Sequence, residues 1–136
     1  MEDHRTKRHR LRLARPVRDV EASVRFYERV LEFVHLGGFE DHAGYNGAFV
    51  GPTGADWHLE FMSHTSGLPV PTPTREDLLV LYYPPSRMPS VEARLVLANV
   101  DPIEHENPYW ASVGATVFAD PDGYLVVVCP ERSTSK

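Results

Sequence analysis

Along residues 10–17, Arg-Leu-Arg-Leu-Ala-Arg-Pro-Val, apolar and polar side chains partly alternate. Successive strand residues point to opposite faces, so this run predicts a strand that ends near Pro16. The period then changes. Val20, Val24, Tyr27 and Leu31 recur at helical spacing, Arg18, Glu21, Arg25, Glu28 and Arg29 are left for water, and Asp19 stands where an N-cap belongs. This is an amphipathic helix of about three turns. Three strand-like runs follow, Phe33 to Phe39, Tyr45 to Val50 and Trp57 to His64, punctuated by Gly37-Gly38, Ala43-Gly44 and the 51–54 run Gly-Pro-Thr-Gly. The order is βαβββ.

Residues 65–76 hold three prolines, which argue for an extended connector and against a helix. The order then begins again. Leu78 to Tyr83 reads as a strand, Ser90 to Asn99 as a helix opened by Ser90, and Ala115 to Ala119 with Leu125 to Cys129 as a hairpin closed at residues 120–123, Asp-Pro-Asp-Gly. Asp101 to Trp110 holds at most one short edge strand. The fold class expected is therefore α+β, with a single domain over residues 10–130 built from units 10–64 and 77–130. A four-stranded sheet carrying one helix leaves one face bare, so the two units are expected to pair into a curved eight-stranded sheet around a cavity.

Composition narrows the setting. Of 136 residues, 42% are hydrophobic and 24% charged, which is enough apolar matter for one core. No run of about 18 apolar residues occurs and the start is charged, so neither a membrane span nor a secretory signal is expected, and the expected address is the cytoplasm. Residues 1–18 carry 7 Lys/Arg against 2 acids, while the rest carries 7 against 17. Without interleaved aromatics this basic stretch reads as a solvated terminus over residues 1–9, not a nucleic-acid arm, and residues 131–136 read as a tail. The one cysteine, Cys129, lies in an apolar run and reads as a buried, inert thiol.

Four segments carry a family resemblance: residues 15–27 from Arg15 to Tyr27 with Val30-Leu31, the 58–61 run His-Leu-Glu-Phe, the 107–110 run Asn-Pro-Tyr-Trp, and residues 118–124 from Phe118 to Tyr124. In this order and spacing the chain resembles the vicinal oxygen chelate superfamily of glyoxalases, bleomycin-resistance proteins and ring-cleaving dioxygenases. The second and third segments are also similar to a small glyoxalase-like subgroup of unknown function. The family usually has Gly after the Val-Leu that ends the first helix, whereas Glu32 stands here. If that residue is left-handed, Glu costs roughly 1 kcal/mol more than Gly.

The resemblance implies a metal held by one residue on each of the first, fourth, fifth and eighth strands. Those positions fall on Arg12, Glu60, Leu79 and Val127, of which only Glu60 can ligate an ion of the usual kind. His58 lies two residues before Glu60, on the same strand face, and the two together offer a second metal reading. The plainer one is that they line a wet wall with Met62 and His64, while Trp57, Leu59 and Phe61 turn to the helix. No cofactor is expected, and a divalent metal is disfavoured.

The expected cavity wall combines Arg12, His58 and Glu60 with Leu79, Leu81, Tyr83, Leu125, Val127 and Cys129. Tyr109 and Trp110 lie where the family often closes its cavity mouth, as ligand-stacking rings or as a packed loop. Two functions follow: a metal-independent protein that binds a small organic ligand, or a lyase, isomerase or dioxygenase-type enzyme using Glu60 as base or metal ligand. The resemblance also implies a homodimer. Arg12 and Glu60, on neighbouring strands, are expected to form an ion pair, since an isolated carboxylate on such a wall is costly to bury.

Overall fold

The computed structural model describes residues 9–132, so the expected flexible terminus at residues 1–9 and tail at 131–136 lie mostly outside it. The chain divides into two compact units. One runs to Glu28 and resumes over Glu32–Val70; the other holds the last turn of the first helix, Arg29–Leu31, and the chain from Pro71.

In the first unit the order is β1 (Leu11–Pro16), α1 (Val20–Leu31), β2 (Val34–His42), β3 (Tyr45–Gly51) and β4 (Trp57–His64). The sheet order is β1-β4-β3-β2, with β1 parallel to β4 and the other pairs antiparallel. Asp19 caps α1, its Oδ1 accepting from the Ala22 N–H at 3.1 Å. At the other end Glu32 is left-handed, with φ 60° and ψ 27°, and its N–H returns to Glu28 O. The αL stop that the family gives to Gly is therefore kept here by Glu, against its steric preference. Tyr27, fully buried, lies between Phe33 and Phe61 with ring centroids 5.8 and 5.2 Å away, which fixes Trp57, Leu59 and Phe61 on the helix side of the sheet. Burying one such ring stabilises the unit by about 1.5–3 kcal/mol. The hairpin β2–β3 turns through Ala43 (φ 55°) and Gly44 (φ 87°), both left-handed as a two-residue primed turn requires.

The second unit contains β5 (Leu78–Tyr83), a 3-10 turn at Pro85–Arg87, α2 (Met88–Leu97), α3 (Pro108–Ser112), β6 (Thr116–Ala119) and β7 (Leu125–Pro130). Its sheet has three strands in the order β5-β7-β6, β5 parallel and β6 antiparallel to β7. The described residues thus form sheets of four and three strands, seven strands where eight were expected. The missing edge strand falls in residues 101–107. Of the ladder it would make, one bond is present, Ile103 N to Val117 O at 2.8 Å. Pro102 has no N–H to give, and side chains hold the segment instead. Arg75 Nη2 donates to Glu104 O at 2.8 Å and Arg75 Nε to the Glu106 carboxylate, and the buried His105 ring bonds Arg75 O at 2.7 Å through Nε2 and accepts from Asn107 N–H through Nδ1. The Arg75 hydrogen bond holds the Glu106 carboxyl below its usual range.

One local expectation is corrected. Helix α2 begins at Met88 and its first turn contains Pro89, so Ser90 lies inside the helix and caps nothing. A proline's missing N–H is harmless at a helix start, which makes Pro89 the start signal. The hairpin β6–β7 closes as expected, with Asp120 Oδ1 accepting from Asp122 and Tyr124 N–H groups at 2.9 and 3.0 Å and Gly123 at φ 90°. No described helix is long and apolar enough to cross a membrane.

Candidate functional site

On the face of the first sheet that turns away from α1, strand alternation and register bring together Arg12 from β1, Phe49 from β3, and His58 and Glu60 from β4. Arg12 is level with His58, and Glu60 is level with Ala14, so the expected pairing of Arg12 with Glu60 is made by a diagonal reach between the neighbouring strands. The guanidinium spans both. Its Nε donates to His58 Nε2 at 3.1 Å and its Nη1 to Glu60 Oε1 at 3.3 Å. The acid is largely sequestered, with 11% of its side chain exposed against 54% for Arg12. An isolated carboxylate there would be costly, and Arg, which keeps its charge, offsets that cost with a rigid fork.

Phe49 supplies the floor. The Arg12 guanidinium carbon lies 4.7 Å from its ring centroid, a cation–π distance, and the His58 ring meets it edge-on at 5.5 Å. Phe39 from β2 lies 5.9 Å from Phe49, over Gly47, where an added Cβ would come within 2.6 Å of the Phe39 ring. Neither phenylalanine was singled out from the sequence. The signal was the alternation Tyr45, Gly47, Phe49 on β3, which shares a face with Glu60, Met62 and His64 once the register is known.

His64 is committed elsewhere. Its Nε2 bonds Ala43 O at 3.0 Å, its Nδ1 accepts from Ser66 N–H at 3.0 Å, and its ring meets Tyr45 at 4.6 Å. It pins the β2–β3 turn, where the wet wall with Met62 was expected to hold it. A groove of about 680 Å³ occupies the other side of this sheet, between α1 and β2–β3, with Glu21, Arg25, Glu28 and His35 on its walls.

The remaining candidates lie in the second unit, where the register separates a wall expected to be continuous. Leu79 pairs with Val126 and Val80 with Val127, so Leu79, Leu81 and Tyr83 face one way and Leu125, Val127 and Cys129 the other. A one-residue offset between parallel neighbours is invisible in two separate apolar runs and reverses the face. Val127 is fully buried with Val117 and Leu125, against Leu78, Val80 and Trp110. Tyr83 donates to Leu31 O at 3.4 Å and carries the Arg87 guanidinium 5.0 Å over its ring. In α3, capped by Asn107 Oδ1 on Tyr109 N–H at 3.0 Å, Tyr109 is 46% exposed and sits edge-on to Trp110 at 5.1 Å. The buried Trp110 Nε1 has no hydrogen-bond partner among the described residues. Cys129 is buried, and burial pushes its thiol up.

The donor set implied for a metal does not fit. Arg12 and the aliphatic Leu79 and Val127 cannot ligate an ion of the usual kind, and Leu79 and Val127 face opposite ways. In the alternative pair, the His58 nitrogen that accepts from Arg12 is withheld from an ion, and one Glu60 oxygen is bonded to the same guanidinium. No group of three or more His, Cys, Asp or Glu able to hold a metal occurs among the described residues.

Comparison with known proteins agrees with the two-unit architecture. The YycE-like N-terminal domain model matches residues 11–62 and the YycE-like C-terminal domain model residues 76–129. The crystal structure of a YycE protein of unknown function from Bacillus subtilis matches with a TM-score of 0.82 at 35% identity, covering 93% of this chain and 92% of that one. FosX, a fosfomycin resistance protein from Mesorhizobium loti, matches in fold with a TM-score of 0.68 at 14% identity, covering 90% and 91%. TnmS3, an antibiotic-binding protein from Streptomyces sp. CB03234, has a TM-score of 0.68 at 25% identity, covering 92% and 97%. The fold is that of the vicinal oxygen chelate superfamily, with its glyoxalases and its fosfomycin- and bleomycin-resistance proteins. Within it the chain belongs to the YycE-like family: it is 36% identical over 126 residues to the uncharacterized protein YycE of Bacillus subtilis strain 168, covering 92% of this chain and 90% of the relative.

Proposed function

We propose that this protein binds a small organic molecule without a metal, with the open face of the first sheet as part of the binding surface. The observation that carries the reading is the bridging of His58 and Glu60 by Arg12, which puts a fixed cation where an ion would need ligands. The name of one relative of similar fold, the antibiotic-binding protein TnmS3, fits binding without chemistry. Sequestration needs affinity and no reacting group.

Native mass spectrometry with elemental analysis of freshly purified protein tests the reading. The expected result is no stoichiometric divalent ion, and a melting temperature unchanged by chelator. A melting temperature that falls with chelator and recovers with Zn²⁺, Ni²⁺, Mn²⁺ or Fe²⁺ would sink it. The same spectrum reports subunit number, for which the proposed state is a two-fold homodimer; a clean monomer in light scattering at micromolar concentration removes the dimer alone. One observation favours the second reading, a lyase, isomerase or dioxygenase-type enzyme. Glu60 Oε2 makes no hydrogen bond to a described residue, which leaves one oxygen of a sequestered carboxylate able to take a proton.

A further inference from the structure

We infer that the ligand docked on Arg12 is a neutral planar arene carrying a carbonyl-type acceptor, not an anion. This rests on the metal-independent binding reading above and names the class of molecule that the same face would take. Three observations on one sheet face lead to it.

The first is the inventory of hydrogen-bonding groups. Of the five N–H bonds of Arg12, Nε uses its one on His58 and Nη1 uses one on Glu60, which leaves three without a partner among the described residues on a half-exposed side chain. Because His58 Nε2 accepts, the neutral ring carries its proton on Nδ1, and that N–H is a further donor. What these unused groups require is an acceptor.

The second is the charge balance. Glu60 offsets the charge of Arg12, the accepting His58 is neutral, and the group of three sums to zero within a chain of formal net charge −5. An anion arriving there meets donors but no net positive charge, and it gives up its hydration for that. A ketone or amide oxygen uses the same donors and gives up less. The third is the surface beside the donors. Phe49 lies 4.7 Å beneath the guanidinium and Phe39 lies 5.9 Å further along, an apolar aromatic strip next to a polar edge. A flat ring stacks on such a strip while its substituent reaches Arg12.

Three probes that share one ring system separate the alternatives: 2-acetylnaphthalene, 2-ethylnaphthalene and 2-naphthoate, each titrated at micromolar concentration into the full-length protein by naphthalene fluorescence. The acetyl compound is expected to bind more tightly than the ethyl compound by on the order of threefold to tenfold, the equivalent of one hydrogen bond, and more tightly than the naphthoate. Arg12→Met should bring the acetyl compound to the level of the ethyl compound, while Phe49→Leu weakens all three. Glu60→Gln removes the balancing charge and should raise naphthoate above the ketone. Naphthoate binding most tightly to the unaltered protein, equal binding of the acetyl and ethyl compounds, or no binding by any of the three overturns the inference. Each of those results leaves metal-independent binding standing on its own test; a stoichiometric divalent ion in the protein overturns both.

Discussion

Glu60 on β4 and Val127 on β7 sit on the last strand of their respective units, each parallel to its unit's first strand, and their surroundings are opposite. Glu60 keeps a guanidinium, an imidazole and two phenylalanine rings on its side of the sheet. Val127 is fully enclosed by Val117, Leu125 and their aliphatic and aromatic neighbours, with no titratable side chain in the cluster. One architecture can therefore present a charged, half-open face in one unit and a dry one in the other. Polar chemistry follows the side chains that alternate onto a face, and the backbone order is indifferent to them.

The comparison breaks most visibly if the two faces are exchanged. Val127→Asp places an unpaired carboxylate in a dry cluster and is expected to cost more than about 4 kcal/mol, or to prevent folding, in a urea titration. A loss below about 2 kcal/mol would mean that this face is wetter than its packing implies.

On the other face the effects are smaller, because Arg12 is half-exposed and water can replace part of what it gives. Arg12→Ala is expected to cost about 1–2 kcal/mol, and Arg12→Leu combined with Glu60→Leu less than either change alone. A double-mutant cycle with no coupling would separate the pair and return Glu60 to acting alone.

Cys129 sharpens the contrast from within the apolar unit. Burial raises its thiol above the unfolded value, so its contribution to stability is complete below the ordinary thiol range and is lost as pH rises through the folded value. Thermal melts should show a modest alkaline fall that Cys129→Ala removes, and a thiol reagent should label native protein far more slowly than unfolded protein. Fast labelling at neutral pH would place the sulfur in water. The smallest effect concerns the helix stops, left-handed at Glu32 in one unit and at Asn99 in the other. Glu32→Gly should stabilise by a few tenths of a kcal/mol, the relief of about 1 kcal/mol being partly cancelled by the freer unfolded chain. Destabilisation instead would show that the Glu32 side chain contributes more than its backbone costs.

What the sequence by itself determined is everything carried by local periodicity and by single residues with one dominant preference. The alternation in Leu11–Pro16 and Trp57–His64, the cap at Asp19 and the turn at residues 120–123 were legible because each depends on neighbours a few positions away. That Arg12, Leu79 and Val127 are not metal ligands of the usual kind was legible too, since a guanidinium or a branched alkyl group cannot be made into one by folding. Tertiary structure decided the rest, and in each case the deciding partner is distant in the chain. The pairing of Val80 with Val127 separates Leu79 from Val127, a register that no pattern within either apolar run specifies. Residues 101–107 forgo a ladder because Arg75, some thirty positions earlier, supplies the hydrogen bonds. Phe49 lies beneath a guanidinium because β3 lies beside β4 and Arg12 reaches over it from β1, so that contact exists only once a strand far back in the chain has joined the sheet.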